Sequence, residues 1–163
     1  MRSVLLCLLA VLLAGEAQAQ YQKMSKSSSI NVSGFQDYIN IGWSKNLSNR
    51  NSLNLNGFYF KDDDSIISRN NWGANLKFSR WFIRVSDFYV SGGFGTFFSR
   101  TNAKAINGID DSDNSLGLDF GGQLEYFPRW WLVLYAELNQ MVYFGSEYYR
   151  SKVVGGGGIK LVF

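Results

Sequence analysis

The chain has 163 residues, 46% of them hydrophobic and 17% aromatic, with 17 glycines and a single proline, Pro128. There is no histidine, and Cys7 is the only cysteine; beyond it no thiol nucleophile, disulfide framework or cysteine metal site is available, and the commonest general base is missing throughout. Against 13 Asp and Glu stand 16 Lys and Arg, a net charge of +3 that is mild and dispersed and forms no basic stripe of the kind nucleic-acid binding demands.

The chain begins MRSVLLCLLAVLLAGEAQAQ: one cation at Arg2, an apolar run from Val4 to Ala14, and the small-residue pattern Ala17-Gln18-Ala19. This is the layout of a secretory signal peptide cleaved after Ala19, giving residues 1–19 as the leader and 20–163 as a single domain. A transmembrane helix is the alternative, but about eleven apolar residues are too few for roughly 30 Å of hydrocarbon. A lipoprotein reading through Cys7 is weak, since most of the apolar run follows the cysteine. Cleavage removes Arg2 and Glu16 and leaves the net charge unchanged.

From about residue 29 the chain alternates apolar and polar residues with period two, the mark of strands with two unlike faces. Eight strands are predicted, at roughly 27–33, 37–46, 52–61, 70–79, 87–98, 115–127, 131–144 and 151–163. In the fourth, Trp72, Ala74, Leu76 and Phe78 oppose Gly73, Asn75 and Lys77. In the sixth, Leu116, Leu118, Phe120, Leu124 and Tyr126 oppose Gly117, Asp119, Gly121, Gln123 and Glu125. The seventh sets Leu132, Leu134, Ala136, Leu138, Val142 and Phe144 against Tyr135, Glu137, Asn139 and Met141. Several predicted strands reach ten residues or more, the length of a tilted membrane-crossing strand. Connections alternate between tight turns, at 48–51 and 128–130, and longer polar loops, at 61–69, 99–114 and 145–152; the segments 34–37 and 80–87 fit that rule less well. An even number of strands with this alternation predicts an all-β fold, an eight-stranded antiparallel up-and-down transmembrane barrel of outer-membrane type.

Aromatic residues gather where such a barrel meets the two membrane interfaces. Trp43, Trp81, Phe82, Tyr126, Phe127, Trp130 and Trp131 fall on the turn side; Tyr59, Phe60, Phe97, Phe98, Tyr143, Phe144, Tyr148 and Tyr149 fall on the loop side. A soluble β-sandwich or lipocalin-like barrel would instead need these rings in its core. In the last strand, Val153, Gly155, Gly157, Ile159, Leu161 and Phe163 share the lipid-facing side, which makes the four glycines strand residues rather than a linker. The ending Ile159, Leu161, Phe163 resembles the signal read by the bacterial barrel-assembly machinery.

An eight-stranded barrel is just wide enough to be filled by side chains. The inward set is Asn40, Asn54, Asn75, Lys77, Asp119, Gln123, Glu125, Glu137, Asn139 and Lys160. Buried charges must be paired, so Lys77 and Lys160 are expected to neutralise some of Asp119, Glu125 and Glu137. That network reads as a salt-bridged plug, with an ion path or a Glu125–Glu137 catalytic pair as the alternative. Asp62-Asp63-Asp64 and Asp110-Asp111-Ser112-Asp113-Asn114 invite a calcium reading, but the second has Leu116 and Gly122 where a calcium loop needs glycine and glutamate, and solvated loop tips are the default. Asp64-Ser65-Ile66 resembles the O-glycosylation acceptor pattern of Bacteroidetes. The glycine stretches at 92–95 and 155–158 lie within strands and precede no helix, so they are not phosphate loops. No cofactor, metal or catalytic residue is indicated.

From YINIGWSKNL (38–47), through SLNLNGFYF, WGANLKF and VSGGFGTF, to SLGLDFGGQLEYFPRWWLVLYAELNQMVYFGS and VVGGGGIKLVF, the chain resembles the TraO family of conjugative-transposon proteins of Bacteroidetes. The positions that carry the likeness are Gly121, Gly122, Glu125, Tyr126, Glu137, Phe144, Gly145 and Ser146. The resemblance implies a non-enzymatic outer-membrane component of a conjugative DNA-transfer apparatus in a Gram-negative bacterium. Its implied partners are outer-membrane lipid, the barrel-assembly machinery during insertion and other transfer proteins. Two other readings stay open: a generic small barrel serving as anchor, adhesin or envelope stabiliser, and a channel or lipid-modifying barrel enzyme.

Overall fold

The computed structural model describes residues 26–64, 67–105 and 110–163; the leader expected at 1–19 and the Ser65-Ile66 pair lie outside them. Eight antiparallel strands follow in order: β1 Ser28–Phe35, β2 Tyr38–Asn46, β3 Asn51–Asp63, β4 Ile67–Val85, β5 Phe88–Ala105, β6 Asp110–Arg129, β7 Leu132–Phe144 and β8 Ser151–Val162. Each pairs with its neighbours in sequence, and β1 pairs with β8 to close the barrel. The closing register runs from Ser29↔Val162 to Gly34↔Gly157, sealed at the end by reciprocal backbone bonds of 2.9 Å between Ser28 and Phe163.

The two faces are inverted relative to a water-soluble barrel. Ile30, Val32, Ile41, Leu55, Leu76, Phe94, Leu116, Leu138 and Ile159 stand outside, about half exposed, while Asn31, Ser33, Asn40, Asn54, Asn75, Lys77, Asp119, Glu125, Glu137, Asn139 and Lys160 are buried inside. Apolar outside and polar inside is the stable arrangement only where the surroundings are hydrocarbon. This is an outer-membrane-type barrel, as the alternation predicts.

Strand lengths differ from expectation in one sector. β1 and β2 have 8 and 9 residues, whereas β4, β5 and β6 have 19, 18 and 20. Most of the predicted loop 99–114 is strand: Arg100↔Asn114, Thr101↔Asp113 and Asn102↔Ser112 continue the β5–β6 ladder. Likewise β4 continues to Val85, and the connection at 80–87 shrinks to a two-residue turn. At about 3.3 Å per residue β5 spans roughly 60 Å, well beyond an apolar band of about 25 Å even when tilted. The β3–β4 and β5–β6 hairpins therefore project past the membrane at the loop end.

Aromatic rings close the lumen at both ends. Phe58, Phe60, Phe97, Tyr143 and Tyr149 form a buried cluster with Tyr38, Met141 and Val154 at the loop end, with Phe97 and Tyr143 at 4.8 Å and Tyr143 and Tyr149 at 5.3 Å between centroids. Tyr89, Phe127 and Val133 do the same at the turn end, with Trp81 edge-on to Tyr89 at 5.7 Å. Six girdle expectations are thereby corrected: Phe60, Phe97, Tyr143 and Tyr149 at the loop end and Trp81 and Phe127 at the turn end belong to these interior clusters. Tyr143 faces inward because it shares the parity of Glu137, Asn139 and Met141, and Trp81 shares that of Lys77 and Ser79, just before a bulge between Trp81 and Ile83. Trp43, Trp130, Trp131 and Phe144 stay on the outside.

The terminal glycines also divide by parity. Gly156 and Gly158 face inward opposite Glu137 and Tyr135, and a Cβ on Gly158 would lie 2.3 Å from the Val32 carbonyl oxygen and 2.7 Å from Ser33 Cα. On the outward face, a Cβ on Gly157 would come no nearer than 3.8 Å to its first neighbour. Ala at 158 should therefore lower barrel stability by about 1–3 kcal/mol through overpacking at the seam, while Ala at 157 leaves it nearly unchanged. Urea unfolding in lipid vesicles, followed by tryptophan fluorescence, measures both; equal midpoints for the two variants would refute the packing account.

Candidate functional site

Period-two alternation delivers each polar side chain of the lumen to a chosen height, and cross-strand register brings neighbours to the same level. Near the turn end, Lys160 on β8 meets Glu125 on β6 at 2.5 Å and donates to Gln123 Oε1 at 3.0 Å. The Gln123 amide then donates to Glu137 Oε2 at 3.2 Å. Glu137 on β7 collects further neutral donors: the Ser33 hydroxyl in a short contact, Asn40 Nδ2 at 3.0 Å, Asn139 Nδ2 at 3.3 Å and the Tyr38 hydroxyl at 3.4 Å. Asn139 also accepts from Lys77 at 2.5 Å, and Lys77 pairs with Asp119 at 3.1 Å. Asn75 donates to Asp119 at 2.6 Å and accepts from Asn56 at 2.7 Å.

All five residues of the expected charge network, Lys77, Asp119, Glu125, Glu137 and Lys160, lie in this one continuous chain of hydrogen bonds. It takes side chains from every strand except β5. At the level of Lys77 the inward positions of β5 are Gly93 and Gly95, where a Cβ would meet Lys77 Cδ at 3.1 Å or Lys77 Cα at 2.7 Å. The glycines of the 92–95 stretch thus vacate the volume through which the lysine reaches across. Ser33, Tyr38 and Asn56 are contributors that the sequence reading does not name; their inward parity on β1, β2 and β3 is the signal for them.

Glu125 and Glu137 do not face each other. Lys160 and Gln123 stand between, so the pair is not arranged to share a proton. The alternative of an ion path meets the aromatic clusters at both ends.

The loop end has a second polar cluster. There the β7–β8 connection folds over the lumen: Tyr149 inserts into the aromatic cluster, the Tyr148 hydroxyl donates to Asp111 Oδ2 at 2.6 Å, and the Glu147 amide donates to Asp113 Oδ2 at 3.1 Å. Lys152 pairs with Asp62 at 2.8 Å, and Lys61 and Ser68 hold Asp63. The stretch Asp110–Asn114, expected as a loop tip, is extended strand with Asp111 and Asp113 engaged in these contacts, which is not the curled geometry of a calcium loop.

Removing Lys160 tests the plug. Lys160→Met leaves Glu125 charged and unpaired in a dry interior and should cost about 3–5 kcal/mol; adding Glu125→Gln should restore most of it. Chemical unfolding of the two variants measures the coupling, and an additive result would dissolve the pair. The loop-end cluster carries a pH signature. The Tyr148 hydroxyl, and after it the Ser112 amide, holds Asp111 below its ordinary 3.8. A lowered acid stabilises the docked loop in full above about pH 3.8 and loses that contribution as pH falls through its depressed value. The same bond pushes Tyr148 up to about 12, so its contribution is whole below the ordinary 10 and is lost as pH rises through that raised value. Amide-exchange protection of Glu147 to Tyr149 should show the acid step, and Asp111→Asn should abolish it.

The chain matches no protein-family model and no curated protein. Among solved structures it is similar to Neisserial surface protein A, with a TM-score of 0.66, 12% identity and coverage of 84% of this chain and 94% of that one. The N-terminal β-barrel domain of Pseudomonas aeruginosa OprF gives a TM-score of 0.60 at 18% identity, covering 85% and 98%. The attachment invasion locus protein Ail of Yersinia pestis gives 0.58 at 14% identity, covering 85% and 99%. At such identities the likeness is one of fold: the small, eight-stranded outer-membrane barrel.

Proposed function

We propose that this protein is a non-enzymatic, non-conducting barrel of the outer membrane, a membrane-anchored scaffold in a conjugative DNA-transfer apparatus. The observation that carries the scaffold half is the sealed lumen: a hydrogen-bonded charge network through its middle, with aromatic clusters above and below. Such a barrel transmits nothing through its axis and offers partners its rims. Support for the transfer role is the likeness to the TraO family across the strands and the closing VVGGGGIKLVF stretch. The leader would deliver the chain across the inner membrane, and Ile159, Leu161 and Phe163 would present it to the assembly machinery.

A second reading, a surface adhesin or envelope anchor, is favoured by the β3–β6 hairpins that project beyond the membrane at the loop end.

Reconstituted in planar bilayers the protein should give no discrete conductance steps, whereas steady openings would end the sealed-lumen reading. Deleting the gene should reduce conjugative transfer by orders of magnitude at unchanged growth rate. Normal transfer from the deletion strain, with loss of attachment to host or neighbouring cells, would decide for the adhesin.

A further inference from the structure

Folding sorts the dispersed charges of this chain by height. At the turn end the exposed or half-exposed cations are Lys26, Lys45, Arg50, Arg80, Arg84 and Arg129, from the start of β1, the end of β2, the β2–β3 turn, the end of β4 and the end of β6. Among the described residues the acids of that end are Asp87, which is 8% exposed, and Glu125, which is committed to Lys160. The loop end is mixed: Lys61, Arg69, Arg100, Lys104, Arg150 and Lys152 are interleaved with a larger number of acids, Asp37, Asp62, Asp63, Asp64, Asp111, Asp113 and Glu147, and Lys61 and Lys152 pair with Asp63 and Asp62. The barrel therefore carries a basic collar on one rim only.

Where these cations point identifies what they meet. Arg80 is two residues beyond Phe78 and Lys45 two beyond Trp43, so both continue the lipid-facing parity of their strands into the headgroup zone that Trp43, Trp130 and Trp131 mark. Two recesses adjoin around the β2–β3 turn and share Arg50. One, of about 540 Å³, is flanked by Lys26, Arg50 and Arg80 beside exposed Leu47; the other, of about 300 Å³, by Arg50 and Arg84 against Trp81 and Phe82. Five of these cations span the contiguous β1–β4 sector and Arg129 stands apart on β6; set at the foot of a greasy wall, at headgroup level, they complement the anionic headgroups of neighbouring lipids.

We propose that the turn-end collar is a binding site for anionic phospholipids of the periplasmic leaflet, with Arg50 and Arg80 gripping the phosphate of one headgroup in the recess at the β2–β3 turn. Paired recesses sharing an arginine suit a lipid with two phosphates, of the cardiolipin class, as well as singly charged phosphatidylglycerol. The collar would fix the height and orientation of the barrel, and it needs only the membrane-spanning fold, not the transfer role.

Barrel assembled in phosphatidylcholine nanodiscs doped with phosphatidylglycerol or cardiolipin, and released for native mass spectrometry, should retain the anionic lipid in preference to phosphatidylcholine. Retention should fall roughly fivefold for each arginine lost in Arg50→Gln and Arg50→Gln/Arg80→Gln, with heat-shifted gel migration unchanged to show an intact barrel. Arg100→Gln, at the loop end, should change nothing. The proposal fails if the unmodified barrel shows no anionic preference, if the collar variants keep it, or if Arg100→Gln reduces it equally. Displacement of the lipid by millimolar inorganic phosphate would show a soluble-phosphate site instead, and would also overturn it.

Discussion

Every backbone N–H and C=O that lies in hydrocarbon must find a partner within the protein, because no water is present to take its place. The β1–β8 ladder meets that demand: without it two strand edges would stand unpaired in lipid. Closure at eight strands fixes the circumference, and the circumference fixes a lumen with room for side chains and little else. From there the period-two geometry decides which residues meet oil and which meet one another. The seam itself is the tightest place, since β8 approaches β1 closely enough that Gly158 has no volume to spare for a side chain.

A filled lumen sets an electrostatic problem that the neutral amides solve. Two ion pairs alone would leave carboxylate and ammonium groups with unsatisfied hydrogen-bonding sites in a dry interior, where each such site costs free energy. Gln123, Asn139 and Asn75 are two-headed, donating and accepting at once, and Gln123 and Asn139 join Lys160–Glu125 to Lys77–Asp119 through Glu137. Each pair thus rests on partners from several strands, and loss of one member strands the rest. Aromatic clusters flank the network above and below, and such low-dielectric surroundings strengthen its bonds.

Much of this was legible in the sequence because the signal is binary. Lys77, Asp119, Glu125, Glu137 and Lys160 fall on the polar parity of their strands, and parity alone puts them in one interior. It was less legible where height competed with parity. Tyr143 and Trp81 sit at the levels of the interfaces and read as girdle residues, yet their parity turns them inward. The outer parts of β5 and β6 were illegible for a different reason: beyond the membrane neither face needs to be apolar, so SRTNAK and DSDNS carry loop composition while pairing as strands. Partner choice within the lumen was not readable at all. That Gln123 bridges Lys160 and Glu137 depends on shear and side-chain reach, which a one-dimensional pattern does not encode.

The same limit hid the charge asymmetry. Lys26, Lys45, Arg50, Arg80, Arg84 and Arg129 are scattered over most of the chain and suggest no patch, but an up-and-down barrel returns to the same rim at every second connection. A net charge of +3 thereby conceals an acid-rich loop end and a basic turn end. With aromatic clusters across both ends of the lumen, the two rims are the polar surfaces the barrel presents. The two are built for different company: at one, a projecting sheet whose β6 strand outruns its β7 neighbour and whose acids fasten a folded-over loop; at the other, arginines and tryptophans at headgroup level. A partner protein in search of a specific surface finds shape and polar edges at the loop end. The turn end offers charge spread along the β1–β4 rim at headgroup level, and charge in that position suits the small anions of a lipid surface.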